Sequence, residues 1–352
     1  MGPLESVRVL ELASVLAGPL AATALSERGA QVTKVERPPA GDVTRSWKTA
    51  LEPADAEGSA YYESANGQKT VAWQDLSSPA GQEWLEQALA DHDVLIENFK
   101  AADLAKFNLK PEDLARRHPH LIRVRLIGFD QAPERLAYDV VVQAETGFMS
   151  MNGFPDRPPV RMPVALMDVL ASHQIRMAVM EGLLGRSAGK HGYFAEVSLE
   201  GSGLTALVNQ ATNQLITGMT PQRNGGEHPN IAPYGDVLTC ADGHVVLAVG
   251  NDRQFEGLCT VLGIPALADS LEFQTNQLRV KHRDALVKAL NEAAARWEKE
   301  ALESALRDAG APAGVVRNLK EVFEGSGSNW TTQNPSGATR TRAVAYRVAY
   351  YS

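Results

Sequence analysis

Two acids carry the most chemistry in this chain. Asp168 stands in P-V-A-L-M-D-V-L-A, and Asp139 directly follows Tyr138 in R-L-A-Y-D-V-V-V-Q. The segment before Asp168, D-R-P-P-V-R-M-P, holds three prolines and reads as extended or turning. Residues 169–186 then carry Leu170, Ile175, Ala178, Val179, Gly182 and Leu183 at the spacing of an amphipathic helix. Asp168 therefore falls at or just before a helix N-terminus, where free N–H groups and the macrodipole favour the ionised carboxylate. Position alone makes it an N-cap. A carboxylate aimed into a cleft is also a nucleophile for a carbonyl carbon, and the surrounding sequence must decide between the two.

The elements that would position such a carboxylate are those of an α/β protein. Hydrophobic runs at 7–12 and 31–36 read as buried strands, with a helix opened by Gly18-Pro19 between them and Gly29 closing it. Further strands are expected at 70–73, 93–97 and 121–127, with helices at 79–92 and around 111–117 between them. This alternation implies a parallel sheet with right-handed crossovers. The first turn, A-S-V-L-A-G-P, is no G-x-G-x-x-G, and no G-x-x-x-x-G-K-[ST] occurs, so the nicotinamide and ATP fingerprints are both missing. In such sheets ligands bind beyond the carboxyl ends of the strands. Arg37, Arg45, Lys69 and Lys106 fall near those ends, where they suit a phosphorylated ligand or are simply solvated side chains.

A strand at 195–199 and a long helix at 202–215 follow, then the turn-rich G-M-T-P-Q-R-N-G-G-E-H-P-N-I-A-P-Y-G, which marks a mobile loop or a boundary. Residues 236–250 read as a hairpin about Asp242-Gly243. Helices at 252–262, 281–298 and 299–309 complete a smaller domain with Phe255, Leu258 and Trp297 in its core. The end of the chain turns polar and then alternates apolar residues with Arg and Tyr, with a possible strand at 343–350.

Composition excludes several classes. The 352 residues are 44% hydrophobic, carry a net charge of -8 and contain no long basic block, which argues against a nucleic-acid protein. Cys240 and Cys259 are too few for a disulfide framework and read as small core residues, so a reducing cytoplasm is the default compartment. The start, M-G-P-L-E-S, is expected not to be a signal peptide, and no apolar run approaches a membrane span.

Several separate blocks, in order, resemble the family III CoA-transferases, a group that includes the α-methylacyl-CoA racemases. They are V-R-V-L-E-L-A-S-V-L-A-G-P with L-S-E-R-G-A-Q-V-T-K-V-E-R-P-P-A-G-D-V-T-R, E-N-F-K at 97–100, H-L-I-R-V-R-L-I-G-F at 120–129 and Y-D-V-V-V-Q-A-E-T-G at 138–147. H-P-N-I-A-P-Y-G at 228–235, A-D-G-H-V-V-L-A-V-G-N-D at 241–252 and the region of Arg279 continue the likeness to about residue 325. The resemblance implies a large Rossmann-like CoA-binding domain at 1–200, a linker helix at 201–224 and a small α/β domain at 225–325. It leaves 326–352 as an atypical tail. It also implies two chains threaded as interlocked rings, a homodimer. The tail departs from the segment that returns to the large domain in relatives, so a truncated reading frame or a CoA-binding homologue without catalysis stays open.

By the same matching, Asp168 is the nucleophile that attacks an acyl-CoA thioester. The products are a mixed anhydride and a CoA thiolate, and then an aspartyl-CoA thioester from which an acceptor acid takes CoA. Gly225 and Gly226 match a mobile loop that covers the intermediates. Arg37, Lys69, Asn98, Phe99 and Lys106 match positions that hold the CoA nucleotide, Asn98 and Lys106 foremost. Leu16 joins them where some transferases place a Gln beside the intermediate, which weakens an oxalate or formate assignment. Leu16, Met149, Met151 and the 225–235 loop would partly line the acyl pocket. Racemases carry His where this chain has Tyr138. A phenol with its ordinary pKa near 10 is a poor base at neutral pH, so the matching favours transfer over racemisation. His173, five residues after Asp168, would not face the same point. Acyl-CoA and a carboxylic acid are then substrates, with no tightly bound cofactor, no metal, no nucleic acid and no membrane partner.

Overall fold

The computed structural model describes residues 2–349. The strands and helices run in the order β1 (Arg8–Glu11), α1 (Ala17–Ser26), β2 (Gln31–Glu36), α2 (Ala60–Asn66), β3 (Thr70–Trp73), α3 (Pro79–Asp91), β4 (Val94–Glu97), α4 (Ala101–Lys106), α5 (Pro111–Arg117), β5 (Ile122–Ile127), α6 (Asp139–Glu145), α7 (Phe148–Met151), α8 (Leu166–Ser187), β6 (Phe194–Ser198), α9 (Leu199–Ala206) and α10 (Val208–Thr217). Then come β7 (Tyr234–Thr239), β8 (His244–Ala248), α11 (Asp252–Val261), α12 (Asn276–Lys281), α13 (Arg283–Ala294), α14 (Lys299–Asp308), β9 (Ala313–Val315), α15 (Leu319–Glu324), β10 (Thr331–Gln333) and β11 (Thr339–Thr341).

The chain divides into two compact units. The first holds residues up to 150, 160–221 and those from 329 on; the second holds 151–159 and 222–328. The expected domain limits move accordingly: the segment at 201–221 belongs to the first unit, and so does the tail.

In the first unit six strands form a sheet in the order β3-β2-β1-β4-β5-β6, every pair parallel. Its central strands are apolar along their whole length because both faces are covered: Val94, Leu95 and Ile96 have no exposed surface. Helix α1 can lie close to β1 and β4 because Gly18 has no side chain; a Cβ there would sit 2.4 Å from Ala13 Cβ. The strand order reverses between β1 and β4, and the carboxyl ends of these strands open a crevice where such sheets bind ligands. Helix α8 buries Met167, Ala171, Ile175, Ala178 and Val179 against this core at helical spacing.

The helix expected at 202–215 is two helices, α9 and α10, parted where Val208 takes φ +37. The helix expected at 281–298 begins earlier, as α12, and restarts as α13 after His282. The strand expected at 343–350 is not formed over 343–349, and Tyr350 lies outside the described residues. Instead β10 and β11 pair antiparallel. Within the first unit, Arg340 Nη1 meets Glu27 Oε1 at 2.5 Å, and Asn334 Nδ2 donates to Glu63 Oε2 at 2.6 Å. The tail thus packs against the large unit, contrary to its reading as atypical.

The second unit is an antiparallel sheet, β7-β8-β9, under helices. Phe255, Leu258, Cys240 and Cys259 are buried in its core, with Trp297 packed against it. Among the described residues no helix is long and apolar enough to cross a membrane.

At the carboxyl end of β1 lies a buried cluster of charges. Glu11 Oε1 pairs with Lys34 Nζ at 2.8 Å and Glu11 Oε2 with Lys69 Nζ at 2.7 Å. Lys34 Nζ also meets Asp42 Oδ2 at 3.0 Å and Ala13 O at 3.0 Å. Lys69 Nζ donates to Pro19 O at 2.8 Å and Asn66 Oδ1 at 3.1 Å. Burial draws the Lys34 pKa down, but Glu11 and Asp42 outweigh it and hold it above the ordinary value. For Lys69 burial wins over Glu11, and the pKa falls to about 8. Removing one partner of a buried pair leaves a charge uncompensated, at a cost of about 3–5 kcal/mol. Lys69→Ala is expected to lower the unfolding free energy by about that amount in urea titration. Unchanged stability with CoA affinity lost would return Lys69 to the ligand-binding set.

Candidate active site

Asp168 is not an N-cap. Helix α8 starts two residues earlier, with Ala165 at the cap and no side-chain capping bond from it. The cap is supplied from elsewhere: Asp139 Oδ1 accepts the Met167 N–H at 2.6 Å. Asp139 is itself held one turn along α6, where Gln143 Nε2 donates to its Oδ2 at 2.6 Å. Gln143 is fully buried, and its Oε1 accepts the Met162 N–H at 2.8 Å. The block Y-D-V-V-V-Q therefore fixes the proline-rich entry to α8, and with it Asp168.

Asp168 is 9% exposed. Burial first and the Asp139 charge second raise its pKa from 3.8 to about 7, against the opposing effect of the Ala17 N–H at the start of α1. The ionised form expected from the helix N-terminus is therefore only partly favoured, because desolvation is the larger effect. Tyr61 on α2 faces the same region: burial, then Asp168, Asp139 and Asp42, push its phenol up to about 12. Its ring packs edge-on to Trp47 with centroids 5.0 Å apart.

Asp168 lines a cavity of about 200 Å³ together with Ser14, Val15, Asn98, Lys100, Arg135 and Tyr138, among others. A second cavity of about 450 Å³ is lined by Arg37, Asp42, Ser77, Lys100 and Lys106, among others. Ser14, Asn98, Phe99 and Lys100 belong to both walls. Ser14 and Asn98 are joined by reciprocal bonds of 3.2 Å, Ser14 N–H to Asn98 Oδ1 and Asn98 Nδ2 to Ser14 O. They lie in the loops after β1 and β4, so the strand reversal is also where the cavities meet. Buried Glu97 accepts the Phe99 N–H at 2.9 Å and the Arg123 guanidinium at 2.6 Å, which sets the E-N-F-K turn.

Val15 takes φ +73. A β-branched residue in the left-handed region is strained by about 1–3 kcal/mol. Asp42 Oδ2 accepts its N–H at 3.3 Å. Asp42 Oδ1 is taken by Thr44, from N at 3.0 Å and Oγ1 at 2.8 Å. Burial would raise the Asp42 pKa, but Lys34 and Thr44 outweigh it and keep it below the ordinary value.

The structure thus brings Asp168, Tyr138, Asn98 and Phe99 to one cavity, and Arg37, Asn98, Phe99 and Lys106 to the other. Arg37 is well exposed and 3.6 Å from Asp75. Lys106 Nζ donates to Ser77 Oγ at 3.0 Å. Lys69 is a correction: its ammonium has no exposed surface and is spent on Glu11, so it cannot meet a ligand in either cavity. Leu16 is buried beneath the loop, 8% exposed, and lines neither cavity. His173 lies on the exposed face of α8. Gly225 and Gly226 belong to the second unit, where Gly225 has φ +69 and its N–H donates to Gly153 O at 3.0 Å. Met151 and the 225–235 loop are in that unit as well, while Met149 is half-buried in the first.

Val15, Asp42, Tyr61 and Gln143 were not legible as site residues. The one available signal was a β-branched residue where the strand-to-helix turn needs an unusual backbone.

The model of CoA-transferase family III matches residues 4–342. The chain is 39% identical over 327 residues to the succinate–glutarate CoA-transferase of Agrobacterium fabrum, covering 91% of this chain and 82% of that one. It is 36% identical over 327 residues to the succinyl-CoA:glutarate CoA-transferase of Homo sapiens, covering 91% and 73%. A CAIB/BAIF family protein from Brucella suis, known from its crystal structure, superimposes with a TM-score of 0.89 at 35% identity, covering 99% and 93%. The chain belongs to CoA-transferase family III and is an enzyme that transfers CoA. The family match runs past residue 325 through β10 and β11, in line with the packing of the tail.

The position of Asp168 makes a prediction about stability. Its pKa of about 7 lies above the ordinary 3.8, so ionising it costs the folded state. That cost is absent below about pH 4, grows as the pH rises and is complete above about pH 7. Asp168→Asn should therefore stabilise the fold at pH 8.5 relative to pH 5, with an upper bound of about 3 kcal/mol on the difference. Urea titration at both pH values checks it; a difference that does not depend on pH would contradict the burial argument.

Proposed function

We propose that Asp168 is the nucleophile of a CoA-transferase that moves CoA between dicarboxylic acids. The observation that carries this is the pair of adjoining cavities, one holding a buried carboxylate and the other the cations Arg37 and Lys106. That arrangement suits an elongated ligand with a reactive thioester at one end and phosphates at the other. The Asp168 carboxylate adds to the thioester carbonyl, the C–S bond breaks, and CoA leaves as the thiolate, giving an acyl-aspartyl anhydride. The thiolate attacks the aspartyl carbonyl and releases the first acid. The acceptor carboxylate attacks the aspartyl thioester, the thiolate leaves again, and its attack on the acceptor's carbonyl regenerates Asp168. A carboxylate whose pKa is raised to about 7 is more basic than an ordinary one, and basicity strengthens a nucleophile. Its rate should rise with pH through the same range.

Racemisation needs a second base opposite Asp168. Tyr138 stands at the neighbouring position, and Asp139 is committed to the Met167 N–H and to Gln143, so transfer is the better reading. The names of the relatives support succinyl-CoA as donor and glutarate as acceptor. Lys100, exposed and without a carboxylate partner among the described residues, suits the far carboxylate of such acids.

The test is chemical trapping. The protein is incubated with succinyl-CoA and a panel of other acyl-CoA thioesters, quenched with hydroxylamine and digested. A hydroxamate at Asp168, absent from Asp168→Ala together with turnover, is expected. An unmodified Asp168 across the panel would sink the proposal.

A homodimer is part of the same reading. Its support is the apolar surface left exposed within the first unit by Met177, Met180 and Leu184 of α8 and by Val208, Leu215 and Ile216 of α10. Light scattering at micromolar concentration should give twice the chain mass; a stable monomer would contradict it.

A further inference from the structure

We propose that Asp42 is a positioning residue for CoA transfer, whose carboxylate clamps the turn at residues 14–17 through Val15, in the wall of the cavity that holds Asp168. The proposal rests on Asp168 being the nucleophile.

The turn needs a clamp because of Val15. Its φ of +73 is one that β-branched side chains resist, and such a conformation persists only where its surroundings over-determine it. Two ties do so. Asn98 holds Ser14 through both its amide atoms. Asp42 holds Val15 through the N–H accepted at 3.3 Å. Helix α1 begins two residues after Val15, at Ala17. A relaxation of Val15 towards ordinary φ would therefore swing the first N–H groups of α1.

Asp42 is built to resist that relaxation. It is 5% exposed, although it borders the larger of the two cavities. One oxygen is occupied by Thr44 N and Oγ1, and the other is shared by Val15 N and the Lys34 ammonium. Lys34 is in turn fixed by Glu11. The carboxylate is thus anchored to the sheet, and its last acceptor site falls on the strained residue.

What the turn delivers matters because the rest of the Asp168 environment opposes its charge. Asp139 faces it from α6 and Tyr61 from α2, and burial removes water. Tyr138 shares the cavity wall. The Ala17 N–H works the other way, favouring the carboxylate that must attack. Losing its aim would both protonate Asp168 at neutral pH and misplace it against the thioester.

The test compares the parent protein with Asp42→Asn, Thr44→Val and Asp42→Asn combined with Val15→Gly. Succinyl-CoA and glutarate are the substrates, and the titration of Asp168 is followed by carbon NMR. Asp42→Asn is expected to lower kcat by about tenfold or more, with KM for succinyl-CoA moving by less than about threefold. The Asp168 titration and the acid limb of the kcat profile should move upward by about half a pH unit or more. Adding Val15→Gly should recover at least about threefold of the lost kcat, because glycine takes this backbone without a side-chain penalty. If Asp42→Asn folds poorly, Thr44→Val carries the test: it spares the Lys34 pair and should move the same profile in the same direction by less. Parental kcat and titration in whichever of these variants folds would overturn the proposal. So would a loss of kcat accounted for by a smaller folded fraction. An absence of hydroxamate in the parent protein would instead defeat the nucleophile reading, and the Asp168 titration would still decide whether Asp42 sets the state of that carboxylate.

Discussion

Glu11 carries two ammonium groups at the buried end of β1, and the ligand-facing half of the first unit hangs from that arrangement. Each of its oxygens takes one lysine, Lys34 from β2 and Lys69 from the turn before β3. The lysines reach onward to the backbone of the first crossover, at Ala13 and Pro19, and to Asp42. One carboxylate thereby fixes three neighbouring strands and both loops that leave them towards the crevice. Such a cluster is expensive to bury, and its attraction repays desolvation only with good geometry and every remaining polar group partnered. The gain is specificity of placement: an apolar core would hold the strands together without aiming the loops.

The end of the crevice that holds Asp168 uses the opposite strategy. Around Asp168 the protein withholds counter-charge, placing Asp139 and an apolar setting where a cation would have lowered the pKa. The result is a carboxylate that stays basic. Because Asp139 closes the N-terminus of α8, its negative charge has a structural reason to be there. A single acid thus caps the helix and raises the pKa of the residue the helix presents. The two halves of the site differ in what they ask of burial. Beneath β1 paired charges offset burial, fully at Lys34 and in part at Lys69, whereas at Asp168 no counter-charge offsets it.

Much of the large unit was legible in the sequence. The runs V-R-V-L-E-L, Q-V-T-K-V-E and L-I-R-V-R-L-I are apolar enough to be read as strands whatever surrounds them, and the intervening helices are bounded by Gly, Pro and Ser. The order of residue blocks carried the family. Lys69 was misplaced because residue type argues for the surface, and only the three-dimensional position of Glu11 explains an ammonium in the core. The single long helix at 202–215 failed because periodicity continues across Val208 while the backbone does not. The cap on α8 was hidden by distance, since Asp139 precedes Met167 by 28 residues and no local pattern announces it. Local signals report elements well. Contacts across the sheet edge, which decide what a charged residue does, leave no periodic trace.

The path of the backbone through the two units has a consequence for biosynthesis. The first unit is left after residue 221 and regained only at 329, and Arg340 then meets Glu27, 313 positions earlier in the chain. On a ribosome that contact cannot form until Arg340 itself has emerged. The entropy of closing so large a loop grows only slowly with its length, by about 0.6 kcal/mol per doubling. The delay is therefore one of timing more than of stability. If the second unit, whose core comes from one nearly continuous stretch, folds as a body while the end of the chain is still being made, the loop to be closed becomes shorter and stiffer. Until then the carboxylates of Glu27 and Glu63 stay open to water.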